Sequence, residues 1–134
     1  MQNMSGGKTA LGLDNNVGAL ICYVGNLICA LGLIYSIIVL VTDKTNKLPR
    51  FHAMQSILLL LANLVVLLPG YLIAMAFFVM GSTITSLIGT VLWFAIFLVG
   101  LGLLVLMIIA AVKAFNGEIY KIPVIGNFAD QWSN

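Results

Sequence analysis

The chain is patterned in long unbroken apolar runs, without the alternation of half-buried strands. Residues 17–41 form 25 positions with no Asp, Glu, Lys or Arg. At a rise of about 1.5 Å per residue a helix of that length covers roughly 37 Å, enough to cross a bilayer with some tilt. A short charged linker follows, with Asp43, Lys44, Lys47 and then Pro49-Arg50. Residues 51–112 are again free of those four residue types. Three crossings would need about 60 residues before any turn, so this run divides into two. The polar break is placed at residues 81–85, around Gly81-Ser82-Thr83, and Pro69 then sits inside a helix as a kink. The pattern therefore predicts an all-α integral membrane protein with three transmembrane helices at 17–41, 51–80 and 86–112. An N-terminal tail, 1–16, precedes them.

The last stretch, 113–134, has a different period. Asn116-Gly117 reads as a helix stop. After Pro123, Val124, Phe128 and Trp132 recur every four residues, with Asn127, Asp130 and Gln131 on the other side. A short C-terminal amphipathic helix lying at the membrane interface is predicted there.

Composition supports this class. Hydrophobic residues make up 62% of the 134 and charged residues 7%, where soluble domains carry about 25% charged. Mean hydropathy is +1.15. The net charge of +2 is spread along the chain and makes no basic stripe for nucleic acid. Basic residues are biased: Lys44, Lys47, Arg50, Lys113 and Lys121 flank one set of helix ends, against Lys8 in the N-terminal tail. The positive-inside rule then predicts an inner-membrane, multi-pass protein with its N-terminus outside and its C-terminus cytoplasmic.

Small and polar residues inside the runs are the candidate functional positions. Gly18, Cys22, Gly25, Cys29, Gly32 and Ser36 are spaced 4, 3, 4, 3, 4 and form one helix-packing stripe, because close backbone approach holds helices together in lipid. Cys22 and Cys29, about 10 Å apart on such a helix, are too distant for a mutual disulfide. His52, Ser56, Asn63 and Gly70 share a second face. Asn26 and Asn63 are the intramembrane amides, predicted to approach each other because a buried amide needs a partner. A polar patch lining a pore is the alternative use for them. His52, the only histidine, is an interfacial residue on the plain reading and an axial ligand to a tetrapyrrole on the sharper one. Asp14, Asp43, Glu118 and Asp130 all fall outside the predicted spans, so no intramembrane carboxylate pair is available for catalysis. Metal ligation and other cofactors find no support.

Three segments carry a family resemblance. They are Gly12-Leu13-Asp14-Asn15-Asn16-Val17, Arg50-Phe51-His52-Ala53-Met54-Gln55-Ser56, and Asn116-Gly117-Glu118-Ile119-Tyr120-Lys121-Ile122-Pro123. Together they resemble small prokaryotic membrane proteins related to the Tic-type component of the chloroplast inner-envelope import apparatus. The resemblance implies membership without a defined activity, and brings no catalytic residues. The plastid relatives it points to are channel-associated four-helix proteins. The function expected is that of a non-enzymatic accessory or scaffold subunit of a larger inner-membrane complex, with membrane lipids and other subunits, or further copies of the chain, as partners. Two alternatives stand beside it: an oligomeric channel or translocation component, and a lipid- or pigment-binding subunit using His52.

Overall fold

The computed structural model describes residues 6–28 and 31–134, and its regular elements are helices. In chain order they are α1 (Asn15–Val24), a 3-10 turn (Gly25–Leu27), α2 (Leu31–Thr42), α3 (Lys47–Val79), α4 (Thr83–Phe115) and α5 (Ile125–Trp132). The chain divides into two compact units, one of Met1–Leu60 with Leu106–Asn134, the other Leu61–Val105.

Among the described residues, α3 and α4 are the two helices long and apolar enough to cross a membrane, 33 residues each. α3 covers the predicted span 51–80 except for its last residue, and α4 contains the span 86–112. Their ends follow from local chemistry. Gly81 adopts φ 71° just past α3. Ser82 and Thr85 then cap each other: Thr85 N–H donates to Ser82 Oγ and Ser82 N–H to Thr85 Oγ1, both at 3.2 Å. This reciprocal box satisfies amide groups that a helix start leaves free. α4 stops at Gly117, whose φ of 76° lets Gly117 N–H reach Ala114 O (3.0 Å) and Glu118 N–H reach Lys113 O (2.9 Å). Those two bonds are a Schellman closure, which needs a left-handed residue at this position. Pro69 stays inside α3.

The first predicted span is corrected. Residues 17–41 do not form one helix; they form the two arms of a helical hairpin. The arms, α1 of 10 and α2 of 12 residues, extend only about 15 and 18 Å, against a hydrocarbon core of about 30 Å. The return is closed by Ile28 N–H to Gly25 O and Leu31 N–H to Ile28 O, both 3.1 Å. The small-residue stripe is what lets the arms meet. A Cβ added at Gly25 would stand 2.6 Å from Gly32 Cα, and one at Gly32 would stand 2.6 Å from Cys22 O and run into the backbone nitrogen of Asn26. A Cβ at Gly18 would come within 3.0 Å of Tyr35 Oη. The stripe is thus an internal seam, and Cys29, its remaining member, lies outside the described residues. In the same unit Cys22, Val39 and Ala53 form a buried cluster that joins α1, α2 and α3.

The N-terminal segment is also docked, from Gly6 onward. Asn15 N–H donates to Gly7 O (3.2 Å), Asn15 Nδ2 to Gly6 O (3.1 Å) and Asn46 Nδ2 to Lys8 O (2.8 Å). Asn16 Nδ2 reaches Phe115 O, at the end of α4, at 3.0 Å. The segment around Lys8 therefore meets the α2–α3 linker, and the first turn of α1 meets the end of α4.

In Leu61–Val105, α3 and α4 pack directly. Gly70 lies under Ile96, where a Cβ would come within 2.9 Å of Cδ1, and Gly89 faces Ala74, Phe77 and Phe78. Tyr71, Trp93 and Phe97 line up alongside, the last two stacked with centroids 5.9 Å apart. Only 11% of the most apolar stretch of each long helix is buried within the chain. In water such a surface would aggregate, whereas hydrocarbon solvates it at no cost.

Candidate functional site

The polar side chains of the first unit converge on one buried network. It begins on α3, whose first turns carry His52, Gln55 and Ser56 on one face by helical spacing. Across it runs the extended segment 118–122, held in place because the glycine closure of α4 redirects the chain there. His52 Nε2 donates to Glu118 O at 2.9 Å. A carbonyl only accepts, so the proton sits on Nε2, and Nδ1 accepts from the Tyr23 hydroxyl at 2.8 Å. The same hydroxyl accepts from Gln55 Nε2 at 2.8 Å, and Nε2 gives its second hydrogen to Tyr120 O at 3.0 Å. Gln55 Oε1 accepts from Ile122 N–H at 3.1 Å. Alternate backbone groups at 118, 120 and 122 are therefore read by two side chains of α3, and Tyr23 brings α1 into the same network.

His52 and Gln55 are fully buried and Tyr23 is 1% exposed. Both nitrogens of the His52 ring, both hydrogens of the Gln55 amide and its oxygen have partners. Such a network is rigid, because each member would lose its bonds and regain none on moving. As to the axial-ligand reading of His52, both ring nitrogens are hydrogen-bonded and the ring is fully buried. Phe51 and Tyr23 close over the imidazole edge-to-face at 5.1 and 5.6 Å.

A second buried contact lies one turn along α3, where Ser36 and Ser56 hydroxyls bond at 2.9 Å, both fully buried. It fastens α2 to α3. Arg50, at the start of α3, closes the other end of α2. Its Nη1 donates to Leu40 O (3.1 Å) and Asp43 O (3.0 Å), and its Nε to Ser133 O (2.8 Å). A cation there suits the negative end of α2 and ties in the end of α5.

Asn26 lies in the 3-10 turn, and its Oδ1 is buried without a hydrogen-bond partner among the described residues. Asn63 belongs to the other unit and has a partner of its own. Among the described residues no three His, Cys, Asp or Glu side chains stand close enough to hold a metal ion. The acids are mostly occupied: Asp43 by Asn46 (3.0 Å), Glu118 by Lys113 (2.8 Å), and Asp130 by Lys121 (2.8 Å) and Lys47 (3.5 Å). The hydrogen bond from Lys121, aided by the charges of Lys121 and Lys47, holds the Asp130 carboxyl below its ordinary value. A depressed folded-state value means that this contribution is present above the unfolded value and fades as pH falls through the folded one. Acidification below the usual carboxylate range is expected to loosen α5 slightly, read as a change in Trp132 emission in a Trp93→Phe background. The effect is small, because both lysines are exposed.

Fold and network together define a small helical membrane protein with two long apolar helices and a hydrogen-bonded polar cap. The chain belongs to the Magnetosome magnetite crystal formation protein family, whose profile matches residues 14–129. It is similar to two proteins of Methanocaldococcus jannaschii. UPF0132 membrane protein MJ1443 is 37% identical over 127 residues, covering 95% of this chain and 96% of the relative. UPF0132 membrane protein MJ1527 is 34% identical over 124 residues, covering 92% and 73%. No solved structure matches. These matches replace the Tic-type assignment, for which they show no link. Two of the three segments that carried it, Arg50-Phe51-His52-Ala53-Met54-Gln55-Ser56 and Asn116-Gly117-Glu118-Ile119-Tyr120-Lys121-Ile122-Pro123, meet in the buried network.

Proposed function

We propose that this chain is a non-enzymatic accessory or scaffold subunit of a larger membrane assembly. In this reading the hairpin of α3 and α4 anchors it, and the polar cap is its cytoplasmic face. The observation that carries the reading is the network itself. The side chains best suited to chemistry, His52, Tyr23, Ser36 and Ser56, are buried and bonded to each other or to backbone. A nucleophile or proton carrier must reach its substrate, and these are spent on holding four segments together. The family description attaches magnetite crystal formation to its members. From that kinship the reading takes residence and organisation in a membrane. It adds no iron chemistry, since three of the four acids are occupied by Asn or Lys partners.

Orientation follows from charge. All six basic residues, Lys8, Lys44, Lys47, Arg50, Lys113 and Lys121, fall in the first unit, and Leu61–Val105 contains no charged residue. The positive-inside rule then puts the cap in the cytoplasm and the turn around Ser82 outside. In this reading α1 and α2 enter the membrane from the cap side and return, with the apolar side chains of Leu27, Ile28 and Leu31 exposed at the turn. Single cysteines test this in intact cells. Ser82→Cys should react with an impermeant maleimide, while Lys8→Cys and Asn116→Cys should react only after lysis. Labelling of Lys8→Cys from outside would overturn the topology. The functional reading is tested by native mass spectrometry after gentle extraction from the native membrane. A defined complex with other proteins is expected; a stable lone monomer would overturn it.

A further inference from the structure

We propose that the cavity between the start of α3 and the end of α5 binds a phosphate group, carried by an anionic phospholipid headgroup or as the free ion. The cavity is about 230 Å³ and is lined by Lys44, Thr45, Lys47, Arg50, Ser133 and Asn134. Three of the six are cations and none is an acid. Lys44 has no ion pair among the described residues. Lys47 shares Asp130 with Lys121 and holds it only at 3.5 Å.

Arg50 is committed through Nε and Nη1 to three backbone carbonyls. Those bonds fix the plane of the guanidinium and leave Nη2 without a partner among the described residues, a preorganised donor for a phosphate oxygen. The wall also contains an unused polar atom. Ser133 is 4% exposed, and its Oγ is buried with no hydrogen-bond partner among the described residues. A buried hydroxyl without a partner calls for one, and a turn of the Ser133 side chain toward the cavity would give it a phosphate oxygen beside three cations. The amino end of α3, which starts at Lys47, adds its partial positive charge on the same side.

The depth of the cavity fits a headgroup. Trp132 adjoins Ser133, is 57% exposed, and packs against Phe128, itself 47% exposed. Aromatic residues of this kind settle at the level of the lipid headgroups. The inference concerns a site in the cap and stands whether or not the chain works as a scaffold.

The test uses the full chain in mild detergent and native mass spectrometry, with phosphatidylglycerol and phosphatidylcholine of equal acyl length as probes. Phosphatidylglycerol should be retained preferentially. Lys44→Gln and Lys47→Gln should each weaken it about fivefold, the usual effect of one basic residue near an anionic lipid. Ser133→Ala, which changes no charge, should weaken it by about threefold to tenfold, the range for one hydrogen bond. Lys8→Gln, in the same unit but outside the cavity, should leave binding unchanged. A parallel titration with inorganic phosphate, read by thermal midpoint, distinguishes the source. Ser133-dependent stabilisation by phosphate without lipid preference identifies a soluble ligand; lipid preference without it identifies the headgroup. Equal losses from Lys8→Gln and Lys44→Gln, or no effect of Ser133→Ala with either probe, would overturn the proposal. Should Lys47→Gln unfold the cap, Lys44→Gln still carries the test, since Lys44 has no ion-pair partner to lose.

Discussion

Replacing Gln55 with leucine is expected to cost about 3–6 kcal/mol of stability and to free the C-terminal tail. Leucine is close in size to glutamine, so the loss is not one of volume. It strips partners from three groups at once: Ile122 N–H, Tyr120 O and one acceptor position of the Tyr23 hydroxyl. Each buried polar group left unsatisfied costs about 1–3 kcal/mol. The site cannot relax by admitting water, since Gln55, His52 and Ile122 are all within 1% of complete burial. Unfolding in mixed micelles gives the stability change, and limited proteolysis after residue 117 reports release of the tail. Tyr23→Phe should cost less, about 1–3 kcal/mol, because it leaves Gln55 bonded to the tail. A Gln55→Leu protein with wild-type stability and a protected tail would mean that segment 118–122 is held by something other than this network.

Half of the network is visible in the sequence. His52 and Gln55 stand out as polar residues at the head of an apolar run, and the segment after Gly117 stands out as the end of one. What sequence does not reveal is that they meet, since Gln55 and Ile122 are 67 positions apart and one partner is backbone, which carries no residue identity. The long helices are more legible, because their limits are written in local chemistry: Ser82 and Thr85 at one start, Gly117 at one stop. The hairpin is less so. Hydropathy sees an uncharged stretch of 25 residues, and no proline or charge marks its return. The small-residue spacing is ambiguous too. On one helix it makes a stripe; folded near Ile28, the same positions face each other, Gly25 against Gly32 and Gly18 against Tyr35. Asn26 was the available signal, a polar residue placed where a continuous span would have its middle.

Gly32→Val is expected to prevent the hairpin from closing, with a loss of at least about 3 kcal/mol or failure to fold. Overpacking against side chains typically costs about 1–3 kcal/mol because rotamers can shift. Here the obstruction is backbone: a first side-chain carbon at residue 32 meets the nitrogen of Asn26 and the carbonyl of Cys22. Neither can give way without opening the 3-10 turn, and that turn sets the register of α1. A shifted α1 withdraws Tyr23 from His52 and Gln55, so the damage should reach the tail and reproduce part of the Gln55→Leu phenotype. Gly25→Val meets the same seam from the other arm and should behave alike. Gly102→Ala is the control, since nothing lies within 4 Å of an added carbon there; in a helix interior it should change stability by no more than about 1 kcal/mol. The measurements are unfolding in micelles and cysteine labelling at position 8. If Gly32→Val folds with wild-type stability, the arms do not touch, and residues 17–41 form a third crossing after all. Lys8→Cys would then be labelled from the opposite side of the membrane from Asn116→Cys, so stability and topology must agree.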